Sequence, residues 1–137
     1  MTAEEIQKSF GSDEKLARFI LHRSHLRSDR TVKPDAFIPF PYPDLSVTRH
    51  VQLSEDELWN IGRDVARQTG KTLRGRADMH AFLFKQHKLR VIAAPTVTNP
   101  NHANVIEWPS EKSAQKHIAQ KIAAAVGRAR EVPPASD

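Results

Sequence analysis

The sequence predicts an α+β fold: a single small domain in which a mixed or antiparallel sheet of three to four strands is packed by two to three helices. Three observations predict it. The stretch from Leu45 to Lys71 reads as a strand feeding an amphipathic helix. Two apolar runs of strand length, MHAFLF and LRVIAAP, follow it. Near the C-terminus Ala114, Ile118, Ile122 and Val126 recur at i, i+4 spacing. A chain of 137 residues supports one ordinary core, assigned to residues 1–127, with a frayed tail over 128–137.

Ser12 followed by DEKLARFIL predicts a short capped helix with Leu16, Phe19 and Ile20 on one side. Apolar residues then thin out through HRSHLRSDR. Over 33–43 the run KPDAFIPFPYP sets four prolines among three aromatic residues, which excludes regular helix and favours an extended path. Phe37, Ile38, Phe40 and Tyr42 are too apolar for a free linker. This segment is expected to lie across the domain and bury several of those rings.

In the strand from Leu45, alternation puts Leu45, Val47 and Arg49 on one face. An arginine in line with two apolar residues needs a partner, with Asp78 or Glu107 as the candidates. Ser54 stands where an N-cap belongs, and Glu57, three residues on, can complete a capping box. Leu53 can staple to Leu58 across it. Leu58, Ile61, Gly62, Val65, Ala66 and Thr69 form one stripe of the helix, and Gly70 is placed to stop it.

Beyond the helix, KTLRGRAD reads as a basic connection, and the two apolar runs separated by KQHK read as an antiparallel hairpin. TVTNPN is a polar loop and ANVIEW a short strand. Pro109 fits the first turn of a last helix over about 110–126, ended near Gly127.

Composition narrows the function classes. With no cysteine there is neither a disulfide framework nor a thiolate metal site. No apolar run reaches the roughly 18 residues of a membrane span, and the acidic start MTAEEIQKSF is unlike a signal peptide, so a cytoplasmic protein without a membrane role is expected. The formal charge of +5 is concentrated: residues 63–90 carry eight Lys or Arg against two acidic residues. Such a stretch attracts phosphate-rich partners, and the plainer reading of it is a solvated surface kept soluble by charge.

The candidate anion-binding residues are therefore Arg63, Arg67, Lys71, Arg74 and Arg76, joined by Lys112 at the start of the last helix. HExxH, GxSxG and GxxxxGK[ST] signatures are missing, and no cofactor motif is present. His22 and His25 are three apart but lack an acidic companion at ligand spacing, so no metal is expected there. In Asn99 to Lys112 the asparagines read as turn formers beside Pro100, and Trp108 reads as core.

Three functions fit these residues. The first is a small non-enzymatic binding or accessory module that meets nucleic acid or another anionic partner through residues 63–90. The second is a metal-independent phosphoester hydrolase or transferase with His80, His102 and Arg49 as its candidate catalytic groups. The third is an interaction subunit that docks a protein partner, or a second copy as a homodimer, through the Pro/aromatic segment.

Overall fold

The computed structural model describes residue 11 and residues 13–134. Five strands form one sheet: β1 (Lys15–Ile20), β2 (Leu45–Arg49), β3 (Gly75–His80), β4 (Arg90–Ala93) and β5 (His102–Ile106). Their spatial order is β3-β1-β2-β5-β4, with every neighbouring pair antiparallel. The helices are α1 (Glu55–Thr69), α2 (Ala81–Lys85) and α3 (Lys112–Val126), with short 3-10 turns at Arg23–His25 and Pro34–Phe37. The α+β class stands, with five strands where three to four were expected.

The extra strand is β1, read from sequence as a helix. Leu16 and Ile20 face the main core while Ala17 and Phe19 face a smaller one, so apolar residues occur at both parities of the strand. A strand covered on both faces loses its alternation and can imitate a helical stripe. The expected helix cap, Ser12, lies outside the described residues.

The proposed hairpin is also replaced. MHAFLF divides between the end of β3 and helix α2, and β3 and β4 lie at opposite edges of the sheet. Most of β3 is GRAD, a stretch too polar to read as a strand. It is buried all the same, because its Arg76 is neutralised inside the fold.

The main core lies between one sheet face and α3 together with the Pro34–Phe37 turn. Leu16, Ile20, Leu45, Val47, Ala77, Met79, Ala103 and Val105 meet Phe37, Phe84, Ala119 and Ile122 there. In α3 the buried residues are Gln115, Ala119, Ile122 and Ala123, and Ile118 and Val126 are only partly covered. A strict i, i+4 series precesses around a helix of 3.6 residues per turn, so only Ile122 of the expected set reaches full burial.

On the other sheet face α1 meets β1. Its capping box is as expected: the Glu57 amide donates to Ser54 Oγ at 3.1 Å and the Ser54 amide donates to Glu57 Oε1 at 3.0 Å. Gly70 ends the helix with a left-handed φ of 68°. Leu58 packs with Ala17 and Phe19, and Leu53 and Ile61 lie against that cluster. A Cβ at Gly62 would come within 2.6 Å of the Phe19 ring, so glycine is what lets the helix approach the strand this closely.

Two further expectations are corrected. Phe37 is buried, but Phe40 and Tyr42 are 55% and 72% exposed. The segment from 128 is paired rather than frayed: Arg128 bridges Thr31, Arg130 exchanges backbone hydrogen bonds with Arg76, and Ala129 is buried. Residues 135–137 of that tail lie outside the described residues. No described helix is long and apolar enough to cross a membrane.

Candidate functional site

The sheet opens between β1 and β2. These strands pair only at Leu16 with Arg49 and Ala17 with Thr48, whereas β1 and β3 pair over six positions. Past Ala17 the gap is bridged by a side chain: Arg18 donates from Nε to the Ala36 carbonyl and from Nη1 to the Ser46 carbonyl, both at 3.0 Å. The guanidinium thus replaces ladder hydrogen bonds where the strands diverge.

A cleft of about 450 Å³ occupies this divergence. Its floor is Arg18, Phe19, Leu45 and Ser46, one wall is Val65, Thr69 and Lys71 at the end of α1, and the other wall is the Pro/aromatic segment. A smaller recess of about 140 Å³ continues from it along the strands towards Thr48, Asn99 and His102. The larger volume falls within the range of small-ligand pockets.

Charge is distributed unevenly around the cleft. Lys71 donates to His22 Nε2 at 3.2 Å, and the His22 and His25 rings meet edge to face with centroids 4.7 Å apart. Among the described residues neither Arg18 nor Lys71 has a carboxylate at ion-pair distance. Burial lowers the Arg18 pKa to about 10. His25 falls to about 4, through burial first, then through the neighbouring His22, Arg18 and Lys71, with Asp35 acting in the opposite sense. His22 is lowered by burial and by the charges of Lys71 and Arg18. Both shifts favour the neutral imidazole. Asp35 and Asp44 also line the cleft.

At the mouth stand the exposed rings of Phe40 and Tyr42, and Lys112 Nζ lies 5.0 Å from the Phe40 centroid. Among the described residues the cleft therefore offers two cations free of carboxylate partners, a third at its rim, two aromatic faces, and two carboxylates able to accept hydrogen bonds.

Of the residues singled out from sequence, Lys71 and Lys112 belong to this site. Arg76 is fully buried: its guanidinium donates to Asp78 and Glu55 and lies over Trp59. Arg67 pairs with Asp64, and Arg63 donates to Asn60 and to the Pro133 carbonyl. Arg74 is half-buried at the entrance to β3. With β3 and β4 at opposite sheet edges, the basic stretch is dispersed over the fold and partly consumed in pairs.

Arg49 is buried and paired with Glu14, its Nη2 to Oε2 distance being 3.1 Å; the expected partners Asp78 and Glu107 are held instead by Arg76 and Arg90. His80, at the end of β3, pairs with Lys15 of β1, while His102, on β5, lies opposite Thr48 of β2, three strand spacings from β3, or roughly 14 Å. Each has its Nδ1 at a backbone carbonyl, of Asp13 and Ala94 respectively. They do not converge, although His102 lines the inner recess of the cleft.

Asn99 and Asn101 act as clasps. The Asn99 amide donates to Thr48 Oγ1, and that of Asn101 donates to the Arg49 and Val51 carbonyls, fixing their loop beside β2. From sequence His22 and His25 read only as a metal pair, the Pro/aromatic segment only as buried or as a protein-docking surface, and Arg18 only as part of a helix. What sequence reasoning misses is the grouping of Arg18, His22, His25, Phe40 and Tyr42 with Lys71 around one cleft. Among the described residues no three His, Asp or Glu gather as a metal site. No known protein family, curated protein or solved structure matches this chain.

Proposed function

We propose that the protein is a non-enzymatic binding module that takes an anionic partner, nucleic acid, in the cleft between β1, β2 and the end of α1. The observation that carries the reading is that Lys71 and Arg18 flank one cleft without carboxylate partners among the described residues, with Lys112 at its rim. Cations already spent in ion pairs gain little from a phosphate, whereas cations without a carboxylate partner can neutralise a phosphate and release the counterions condensed on the nucleic acid. The reading thus keeps the basic character of residues 63–90 but narrows it to Lys71 and adds residues from outside that stretch.

The hydrolase alternative is less well supported. Two-histidine phosphoester chemistry needs one imidazole as base and the other, protonated, as acid. His22 and His25 are the pair that meets, and burial with neighbouring positive charge favours the neutral form of both.

The test is fluorescence anisotropy with labelled nucleic acid across a salt series, comparing the parent with Lys71→Ala/Lys112→Ala. The expected result is affinity that falls steeply with salt, a slope flattened by about 1.4 for a single strand in the double variant, and RNA recovered intact. Absence of binding at low salt, or a slope the variant leaves unchanged, overturns the reading.

A further inference from the structure

Building on that reading, we infer that the cleft takes an unpaired nucleotide of a single strand, its phosphates towards Lys71 and Arg18 and its base against the exposed rings of Tyr42 and Phe40. Three features of the cleft carry this beyond a general affinity for polyanions.

The first is ring exposure. Phe37, in the same segment, is fully buried, while Phe40 and Tyr42 present 55% and 72% of their surface to solvent beside the cleft. Large aromatic side chains left in water beside cations form the combination that binds single strands, in which unstacked base faces are available. A duplex stacks its bases internally and offers only edges and phosphates to such rings.

The second is scale. A depression of about 450 Å³ walled on two sides by α1 and the Pro/aromatic segment is on the scale of a small ligand such as one nucleotide and far smaller than a duplex. Of the basic residues in 63–90, Arg63, Arg67 and Arg76 are engaged with Asn60 and Pro133, with Asp64, and with Glu55 and Asp78 respectively.

The third is the mixed lining. Asp35 and Asp44 oppose the binding of a bare polyphosphate, because a phosphate near either would be repelled. The same carboxylates accept hydrogen bonds from the amino and imino groups on base edges. A ligand carrying both negative charge and ring N–H donors satisfies the whole lining, and a polyanion without bases satisfies only part of it. Lys112 over Phe40 adds a cation that a phosphate flanking the stacked base can reach.

The experiment measures binding of a labelled single-stranded oligonucleotide, of the duplex made from it, and of inorganic polyphosphate as competitor, for the parent, Tyr42→Ala, Tyr42→Phe and Lys71→Ala. Tyr42 is exposed, so these substitutions leave the fold intact, which circular dichroism verifies. The single strand should bind at least tenfold more tightly than the duplex. Tyr42→Ala should lose about tenfold for the strand, Tyr42→Phe should retain the parent affinity, and polyphosphate should respond to Lys71→Ala but not to Tyr42→Ala. Equal affinity for strand and duplex, with Tyr42→Ala neutral, overturns the nucleotide inference and leaves an anion-binding surface standing. Binding of neither nucleic acid nor polyphosphate overturns both.

Discussion

The central guanidinium carbon of Arg76 lies 4.7 Å from the centre of the Trp59 ring, on the inner side of α1. Four hydrogen bonds to carboxylates and a reciprocal backbone pair complete its surroundings. Nε and Nη2 donate to Asp78 at 2.7 and 2.8 Å, Nη1 and Nη2 donate to Glu55 at 3.0 and 3.1 Å, and the Arg76 and Arg130 backbones exchange hydrogen bonds. A cation carried to zero exposure is tolerable only because carboxylates and an aromatic face replace its water. Arg76→Met should therefore destabilise the fold by about 3 kcal/mol, since it removes the two-bond partner of the half-buried Asp78 together with the cation that Glu55 accepts from. Urea unfolding measures it, and a loss under 1 kcal/mol would contradict this description of the site.

Asp78 gives that cluster a pH signature. Burial alone would raise its pKa, but hydrogen bonds from His50 and Arg76 and the charge of Arg76 outweigh burial and hold it at about 2, against an ordinary 3.8. A carboxylate depressed in the folded state contributes stability that is fully present above its unfolded pKa and is lost as pH falls through the folded one. Stability should drop between about pH 4 and pH 2, and Asp78→Asn should flatten that part of the profile while lowering stability at pH 7. Thermal melts at half-unit intervals provide the comparison.

Gly62 sets a conflict between propensity and packing. Alanine in place of a helix-interior glycine gains up to about 1 kcal/mol. Here its methyl would lie 2.6 Å from the Phe19 ring, which is itself buried between α1 and β1. Overpacking costs of about 1–3 kcal/mol should win, so Gly62→Ala is expected to be net destabilising. A more stable variant would mean that the ring moves aside freely.

The Pro/aromatic segment should divide sharply in its response to substitution. Phe37→Ala removes a fully buried ring from the main core and should cost about 3–5 kcal/mol. Tyr42→Ala, at a ring mostly in solvent, should fall within about 0.5 kcal/mol of the parent. Denaturant midpoints for the two variants side by side check this division.

These contrasts show where sequence is informative. Helix α1 was legible because Ser54, Glu57, the apolar stripe and Gly70 are local signals that agree with one another. Strand β3 was not, because its burial depends on Glu55 and Asp78 neutralising Arg76, and a buried arginine looks like a surface one until its partners are placed. Phe40 and Tyr42 share composition with Phe37, and only the path of the chain decides which ring faces the core. The cleft was illegible for a related reason. Arg18, His22, His25, Tyr42 and Lys71 are brought together by the early divergence of β1 from β2, a matter of register that no single stretch encodes.

The central claim, that an anionic ligand enters this cleft, is tested most directly at His25. Its pKa of about 4 reflects burial and the positive field of His22, Arg18 and Lys71, with Asp35 opposing. A phosphate placed beside those cations offsets their field and favours the imidazolium, so binding should take up protons and strengthen as pH falls. NMR titration of the His25 ring, with and without a saturating single-stranded oligonucleotide, should show its pKa rising from about 4 towards the ordinary 6.5. A His25 titration that saturating oligonucleotide leaves unmoved would contradict the account, because the ligand would then be bound elsewhere on the molecule.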